Sequence, residues 1–392
     1  MKNREEERLK DLKDLRLEID KIDDELIELF VKRMDISLEV ANYKKANNLP
    51  VLNPEREREI LNKVSSMVSQ KQDAEMDNYA RVFFSTLLNV SRSRQDLALR
   101  GESPIIKRAH DAIQSTPTLF PEKATVACQG LEGAYSGLAS EKLFKLPTIM
   151  YFNTFENVFA AVEKGLCQYG ILPIENSSAG SVGEVYDLMK NYNFSIAKSV
   201  KLHIKHALLV NPETKLSDIK EIYSHEQALN QCGNFLKDLK NVNIKVCENT
   251  AEAAKKVKEL GSSNVAAISS KSCAALYGLD ILNDDIQNSD NNYTRFICIS
   301  KNLEIYPGAN KISIMLSVPH RPLALYHIIS KFAALGLNMS KLESRPISGS
   351  DFDFMFYFDI DGSLQSELVL SLMSQLEKEL DFFVFLGNYP ED

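Results

Sequence analysis

The chain has 392 residues, of which 44% are hydrophobic and 26% are charged, and its formal net charge is -8. This length exceeds what one hydrophobic core usually organises, so we expect a globular protein of two to four domains. The negative charge argues against a nucleic-acid-binding surface, and an anionic ligand would have to be held by local cations. The apolar runs are short and interrupted by charges, which predicts neither a membrane span nor a signal peptide.

Six cysteines are scattered along the chain without a C-x-x-C pair. Scattered cysteines among apolar neighbours are typical of reduced thiols, so we expect a cytoplasmic protein. The same spacing predicts no metal site built on cysteine.

The first hundred residues contain none of the 16 glycines, which indicates a helical module. A first helix is predicted over residues 5–47 because apolar residues recur at spacings of three and four. This seam comprises Leu12, Leu15, Ile19, Ile22, Leu26 and Leu29. The helix would be roughly 60 Å long at 1.5 Å per residue, too long for one small module to cover, so we expect a second copy of the chain to cover it. Asn53 and Pro54 predict the start of a second helix, and a third is predicted over residues 73–99.

Charged residues follow this seam. Arg33 falls where an aliphatic residue is expected, and a guanidinium in an apolar interface requires an anion. Arg16 and Lys44 are four heptads apart and therefore on the same flank of the helix. With Glu57 and Gln95 as hydrogen-bond partners, these cations predict a pocket for a small dianion. The alternative is an ordinary charged helix surface in contact with water.

This pattern resembles the all-helical chorismate mutase family, whose members are domain-exchanged dimers. The matching positions are Arg16, Arg33, Lys44, Arg56, Glu57, Ser91 and Gln95. The resemblance implies that Arg16, Arg33 and Arg56 bind the substrate carboxylates. It also implies that Lys44 and Gln95 face the ether oxygen and that Glu57 meets the ring hydroxyl. Asn53 stands where the family often has Asp, which preserves a helix cap but removes a charge.

Residues 103–123 contain three prolines and no long periodic pattern, which predicts a linker. From residue 124 to 303 strands and helices alternate, which predicts two α/β half-domains with a ligand cleft between them. The polar stretch at residues 173–180 is predicted as a strand-to-helix turn, where backbone N–H groups at a helix N-terminus favour a carboxylate. A second polar stretch, residues 291–296, opens the last strand. The chain has no full dinucleotide-binding glycine motif, and we expect no cofactor.

The turns of this region closely resemble prephenate dehydratase. The motifs are Gly130-x-x-Gly133-x-Tyr135-Ser136, Pro173-Ile174-Glu175-Asn176-Ser177, Ser224-His225-x-Gln227, Gln231-Cys232 and Thr294-Arg295-Phe296. The resemblance implies that Thr294 acts at the leaving hydroxyl and that Asn176 and Gln231 orient the substrate.

The same resemblance implies substrate contacts for Glu175, Ser177 and Arg295. Arg295 or nearby backbone N–H groups are expected to hold a carboxylate. Because His203 and His206 lie in an apolar strand context, we interpret both as structural side chains.

Residues 304–392 alternate as βαββαβ, which predicts an α+β ferredoxin-like fold. This segment resembles an ACT regulatory domain. The resemblance implies phenylalanine binding at Glu343, Ser344, Arg345 and Pro346 and at a turn that contains Ala324 and Leu325. Leu323 replaces the glycine of that turn and places a side chain where the ligand needs close approach to the backbone.

Over essentially its whole length the chain is similar to the bifunctional P-protein family, in which chorismate mutase is joined to prephenate dehydratase. The resemblance implies a mutase domain at 1–102, a linker at 103–123, a dehydratase domain at 124–303 and an ACT domain at 304–392. It further implies a homodimer or a dimer of dimers that acts on chorismate and prephenate in phenylalanine biosynthesis. Two alternatives remain open: a monofunctional prephenate dehydratase with an inactive helical dimerisation domain, and a non-catalytic amino-acid sensor.

Overall fold

The computed structural model describes residues 11–70, 74–98, 103–239, 241–347 and 354–391. The helices are α1 (Leu12–Ala46), α2 (Pro54–Ser69), α3 (Ala74–Ala98), α4 (Pro104–Ser115), α5 (Tyr135–Leu143), α6 (Phe155–Glu163), α7 (Gly183–Met189), α8 (Glu226–Gln231), α9 (Gly233–Asp238), α10 (Thr250–Leu260), α11 (Lys271–Tyr277), α12 (Ala324–Ala334) and α13 (Glu367–Glu379). The strands are β1 (Lys123–Gln129), β2 (Leu146–Phe152), β3 (Tyr169–Asn176), β4 (Gly180–Ser181), β5 (Ser195–His203), β6 (Ala207–Val210), β7 (Glu221–Ser224), β8 (Asn243–Val246), β9 (Val265–Ser269), β10 (Asp280–Asn283), β11 (Tyr293–Ser300), β12 (Lys311–Ser317), β13 (Met339–Pro346), β14 (Phe354–Asp361) and β15 (Phe383–Tyr389).

The chain forms two compact units. One comprises Met1–Ser103 with Pro322–Leu335, and the other comprises Pro104–Arg321 with Gly336–Asp392. No helix in the described ranges is both long and apolar enough to cross a membrane.

The secondary-structure elements described in the first unit are all helices. Helices α1 and α2 pack against α3, and the packing buries Met34, Val64 and Leu88. Helix α12, which comes from a distant part of the chain, also packs against α3. The apolar seam at the start of α1 remains 40–63% exposed; it comprises Leu12, Leu15, Ile19, Ile22, Leu26 and Leu29. The predicted helical residues 5–10, 73 and 99 lie outside the described part of the chain.

The second unit contains three sheets. In the first, the strand order is β2-β1-β3-β11-β5; β1 is parallel to β2 and β3, whereas β11 is antiparallel to β3 and β5. The second sheet has the order β10-β6-β9-β7-β8. Fully buried strand residues such as Ile171, Ile297 and Ile268 form the cores under these sheets. Two α/β halves, as predicted, therefore carry the polar turns.

The third sheet is antiparallel and has the order β13-β14-β12-β15. With α12 and α13, the elements between residues 311 and 389 follow the predicted order βαββαβ. Residues 352–353 of the predicted strand lie outside the described ranges.

The structure differs from the sequence-based prediction in the segment read as a linker. Residues Pro104–Ser115 form helix α4, with Ile105, Ala109 and Ala112 buried. Proline at the first helical position lacks only an N–H that the helix would leave without a partner anyway, so it starts this helix. Apolar burial at spacings of four and three then stabilises it.

A second difference concerns the polar stretch after Leu172. Strand β3 continues through Glu175 and Asn176 because both residues pair with β11, and the chain then turns into β4. Helix α7 begins only at Gly183. The predicted carboxylate site at a helix N-terminus is therefore replaced by a β-hairpin.

Candidate active sites

A cavity of about 390 Å³ lies among α1, α2 and α3. The predicted mutase residues that line it are Arg33, Lys44, Asn53, Arg56, Glu57, Ser91 and Gln95. Aliphatic side chains, among them Ile36, Val40 and Ile60, complete the wall. The cavity thus combines cations and amide groups with an apolar surface, which suits a small dianion with an apolar ring.

Two cations of this cavity are held by groups on other helices or loops. Arg33 donates a hydrogen bond to Ser91 Oγ, and burial lowers the pKa of Arg33 from its usual value. An arginine nevertheless stays protonated at neutral pH. Lys44 Nζ donates to the carbonyl of Val51 and lies 3.5 Å from Gln95 Oε1. Because the amide oxygen of Gln95 faces Lys44, its N–H groups are directed away from that cation.

The start of α2 supplies the opposite wall. The side chain of Asn53 accepts a 3.0 Å hydrogen bond from the backbone N–H of Arg56, so it caps the helix as predicted. The Arg56 side chain forms an exposed 2.9 Å ion pair with Glu59. Glu57 lies 3.3 Å from the Nε of Arg92, a cavity residue that the sequence analysis did not identify.

Arg16 does not line this cavity. It is exposed near the start of α1 and precedes Arg33 by 17 residues, a separation of roughly 25 Å along a helix axis. Within one chain, Arg16 therefore lies too far along α1 to reach this cavity.

A second polar cluster is centred on Asn176 and Thr294. The antiparallel register of β3 and β11 places these residues opposite each other. Asn176 Nδ2 donates to Thr294 Oγ1 and to Asn292 Oδ1, both at 2.9 Å. Asn176 Oδ1 accepts from the backbone N–H groups of Ser178 and Ala179 at 3.0 and 2.9 Å. The amide is thus fixed by the hairpin on one side and by β11 on the other.

The cluster continues across to helix α8. Asn292 Nδ2 donates to Gln231 Oε1 at 3.0 Å, and His206 Nε2 lies 2.9 Å from the same oxygen. The tyrosine hydroxyl of Tyr135 lies 3.3 Å from His206 Nδ1. Burial lowers the pKa of His206, which favours the neutral imidazole. His206 thus contacts Gln231 directly, and its interpretation as a structural side chain stays a prediction.

This cluster borders a cavity of about 550 Å³. Gln231 and Asn292 line it, whereas Asn176 and Thr294 are buried just behind them. The other lining residues are Ser178, Ala179, His225, Glu226, Gln227, Asn230, Gln287, Asn288 and Ser289. None of the lining residues in the described chain is Lys or Arg, so the polar side chains of this cavity are amides, hydroxyls, the His225 imidazole and the Glu226 carboxylate.

Arg295 does not face this cavity, contrary to the predicted carboxylate contact. Successive side chains of a strand point to opposite faces, so Arg295 points away from the side of Thr294. Its guanidinium is 3% exposed and pairs with Asp359, with Glu175 at 2.7 Å and with Glu391 at 3.4 Å. Burial by itself lowers the pKa of Arg295, but these carboxylates outweigh it and the net shift is upward.

Glu175 and Ser177 were also predicted to contact the substrate, but neither residue lines the cavity. Glu175 pairs with Arg295 and, at 3.0 Å, with Lys341. Ser177 Oγ donates to the carbonyl of Asn291 and accepts from the N–H of Tyr293, each at 2.9 Å. Both side chains hold the hairpin against its neighbours rather than lining the cavity.

Neither cavity offers a metal site. Across the described ranges, no group of three or more His, Cys, Asp or Glu side chains has a metal-binding arrangement.

The sequence matches two family models in the order of the two sites. Residues 15–96 match chorismate mutase type II, and residues 126–304 match prephenate dehydratase. The chain is 32% identical to the bifunctional chorismate mutase/prephenate dehydratase of Enterobacter agglomerans, over 96% of this chain and 95% of that protein. It is 36% identical to arogenate dehydratase/prephenate dehydratase 2, chloroplastic, of Arabidopsis thaliana, over 74% of this chain and 79% of that protein.

A solved structure is also similar to this chain. Prephenate dehydratase from Arthrobacter aurescens in complex with L-Phe is 28% identical, with a TM-score of 0.63, and the match covers 68% of this chain and 89% of that chain. The two family models and the nearly full-length similarity to a bifunctional enzyme together identify the family. The chain belongs to the family of bifunctional chorismate mutase/prephenate dehydratases.

Proposed function

We propose that the two reactions of this enzyme take place in two separate cavities. The enzyme converts chorismate to prephenate and prephenate to phenylpyruvate in phenylalanine biosynthesis. We assign the first step to the cavity among α1, α2 and α3, and the second to the cavity beside Asn176 and Thr294. The observation that carries this assignment is that each cavity holds side chains suited to one of the two chemistries.

The mutase step is a pericyclic rearrangement that needs no proton transfer. Its site must fix a folded dicarboxylate and stabilise charge that develops on the ether oxygen. We infer that Arg33 and Arg56 bind carboxylates and that Lys44 and Gln95 face the ether oxygen. Donation from Lys44 to Gln95 Oε1 supports this role, because it directs the amide N–H groups of Gln95 toward another acceptor. Ser91 holds Arg33, and Asn53 fixes the start of α2 by its cap.

We infer that Arg16 completes this cavity in a second copy of the chain. The exposed seam of α1 supports a dimer, since a helix with one apolar face requires a partner surface. Glu57 would then meet the ring hydroxyl of a substrate enclosed by two chains.

In the dehydratase step the ring loses CO2 and a hydroxide, which is a poor leaving group. The main requirement is a proton donor or strong hydrogen bond at that oxygen. Asn176 donates to Thr294 Oγ1, so the threonine proton is directed away from the amide and toward a second acceptor. We infer that this acceptor is the leaving hydroxyl. Gln231 and Asn292 orient the ring, and neutral donors such as Gln227 hold the carboxylates in place of Arg295.

One pair of variants tests the assignment of both cavities. Purified protein is supplied with chorismate, and chorismate, prephenate and phenylpyruvate are followed together. Arg33→Ala is expected to abolish chorismate turnover while supplied prephenate is still consumed. Thr294→Val is expected to let prephenate accumulate, and Thr294→Ser, which keeps the hydroxyl, to restore its conversion. Unchanged prephenate turnover in Thr294→Val would refute the role of the hydroxyl.

We further infer that L-phenylalanine regulates the enzyme through an ACT domain at residues 304–392, with a ferredoxin-like fold. The strand order β13-β14-β12-β15 supports this inference, as does the L-Phe complex of the Arthrobacter protein. Strand β13 carries the proposed ligand residues Glu343, Ser344, Arg345 and Pro346. Two of these side chains contact the dehydratase region: Glu343 accepts from Ser181 at 2.6 Å, and Arg345 donates to Asp187 at 2.6 and 2.9 Å.

The proposed cellular location is the cytoplasm. All six cysteines are unbridged and buried, which fits a reducing compartment.

A further inference from the structure

The mutase cavity contains a cation outside the predicted set. Arg92 follows Ser91 on α3, and its side chain is 18% exposed. Its Nε is buried, and the 3.3 Å contact with Glu57 is an ion pair rather than an aligned hydrogen bond. Contact with Glu57 alone therefore does not fix the direction of this guanidinium.

Asn89 fixes the direction of the Arg92 guanidinium. This residue is 4% exposed, and its Oδ1 accepts a hydrogen bond from Arg92 Nη2. A guanidinium can only donate, so the amide oxygen must face Arg92 and the amide nitrogen must face the other way. On that side lies Nδ1 of His327, a residue of α12.

The same argument decides which atom donates and which accepts in the contact between Asn89 and His327. Because the amide nitrogen of Asn89 donates, His327 Nδ1 must accept, and the ring proton of a neutral imidazole is then on Nε2. That nitrogen lies 3.3 Å from Ser85 Oγ. Ser85, Asn89 and Arg92 succeed one another along α3 at spacings of four and three, so they share one face of the helix.

We propose that Arg92 is a positioning residue of the mutase site, that it aims the carboxylate of Glu57, and that Asn89 and His327 of α12 hold it in place. The proposal rests on the assignment of the mutase reaction to this cavity. A carboxylate beside a dianionic substrate would repel it unless a cation compensates the charge. Arg92 provides that cation. The series of contacts from His327 through Asn89 to Arg92, which we call the relay, keeps the guanidinium on Glu57 instead of on a substrate carboxylate.

Four single variants test the relay, with the kcat and KM for chorismate as readouts and prephenate turnover of the same sample as an internal control. Arg92→Gln should lower kcat/KM for chorismate roughly tenfold, as expected for loss of a charge-assisted contact. His327→Leu should cause a loss of the same kind, and His327→Asn, which retains an acceptor near the position of Nδ1, should recover most of it.

The matched control is Tyr326→Phe. The Tyr326 hydroxyl lies 3.2 Å from Thr86 Oγ1, so this variant weakens the same pair of helices without touching the relay. Chorismate turnover should be unchanged in it. Equal losses in Tyr326→Phe and His327→Leu would overturn the proposal, since α12 would then act only by packing.

A double variant keeps the test valid if His327→Leu also loosens α12. When His327 acts through Arg92, the pair Arg92→Gln and His327→Leu should be no worse than Arg92→Gln alone. If the losses of kcat/KM in the two single variants multiply in the double variant, the relay is contradicted.

Failure of the cavity assignment itself is distinguishable, because Arg33→Ala would then leave chorismate turnover intact. An inactive Arg33→Ala beside a fully active Arg92→Gln would reject only the present inference.

Discussion

At the scale of single residues, Arg295 and Asp359 form a buried ion pair that lies outside the dehydratase cavity. Asp359 is fully buried and accepts from Ser313 and from Arg295, whose backbone follows directly on Thr294. Loss of Asp359 would leave Arg295 with only Glu175 and Glu391, which are more exposed to water, as anionic partners. Arg295 therefore stabilises the strand that carries Thr294 instead of binding substrate.

Asp359→Asn is accordingly expected to lower the free energy of unfolding by about 1–3 kcal/mol, measured in urea. Asp361→Asn is the matched control, because Asp361 lies two residues further along β14, is 46% exposed and pairs with Lys311 at 3.4 Å. Because the Asp361 carboxylate is nearly half exposed and Lys311 keeps Glu391 as a second partner, loss of this pair should cost only about 0–1 kcal/mol. Equal shifts in the two variants would mean that Arg295 does not depend on Asp359.

The sequence predicted seven of the residues that line the mutase cavity, because motifs fix identity and spacing. Of the predicted dehydratase residues only Gln231 lines the second cavity. The sequence did not predict the direction of Arg295, since that depends on a carboxylate 64 positions away. The contact between His206 and Gln231 was not predicted for a similar reason. Gln231 comes from another element, and nothing near His206 in the sequence marks that contact.

At the scale of elements, the gap between α8 and α9 positions Gln231. The helical segment from Glu226 to Asp238 is not continuous, because it breaks at Cys232. Asn288 occupies the break: its backbone N–H donates to the carbonyl of Gln231 at 2.7 Å, and its side chain accepts from the N–H of Asn234 at 2.9 Å. A residue distant in sequence thus replaces the helical bonds, which no local pattern could predict. Helix α4, by contrast, has apolar residues at helical spacing in its sequence. The prolines on either side of it led to the prediction of a linker.

Leu323 gives a prediction at this scale. It precedes α12 with φ 67°, a left-handed conformation that costs a non-glycine residue roughly 1–2 kcal/mol. Leu323→Gly should therefore raise the melting temperature, and it should tighten phenylalanine binding in calorimetry by removing a side chain from the proposed ligand turn. Ala333→Gly, in the same helix but with right-handed backbone, should instead destabilise the protein by about 0.5–1 kcal/mol. A lower melting temperature for Leu323→Gly would show that its side-chain packing outweighs the backbone strain.

At the scale of the whole molecule, a single chain leaves the apolar face of the first half of α1 uncovered. Its seam was predicted from the 3–4 spacing, and the described residues keep that seam exposed. The sequence also placed Arg16 with the mutase residues, although one chain separates it from Arg33 by the length of several helical turns. Both observations are explained together if two chains exchange these segments, because the seam is then covered and Arg16 reaches the partner's cavity.

Complementation between two inactive variants tests this arrangement. In a dimer that exchanges α1, Arg16→Ala and Arg33→Ala each disable both cavities. A heterodimer of the two has one cavity with both changes and one with neither. Random assembly on co-expression yields about half heterodimers, so chorismate turnover should recover to about a quarter of the wild-type value per dimer. Dehydratase activity serves as the control for protein quantity. If each cavity used its own Arg16, no combination of the two variants would restore chorismate turnover, and the exposed seam of α1 would need another explanation.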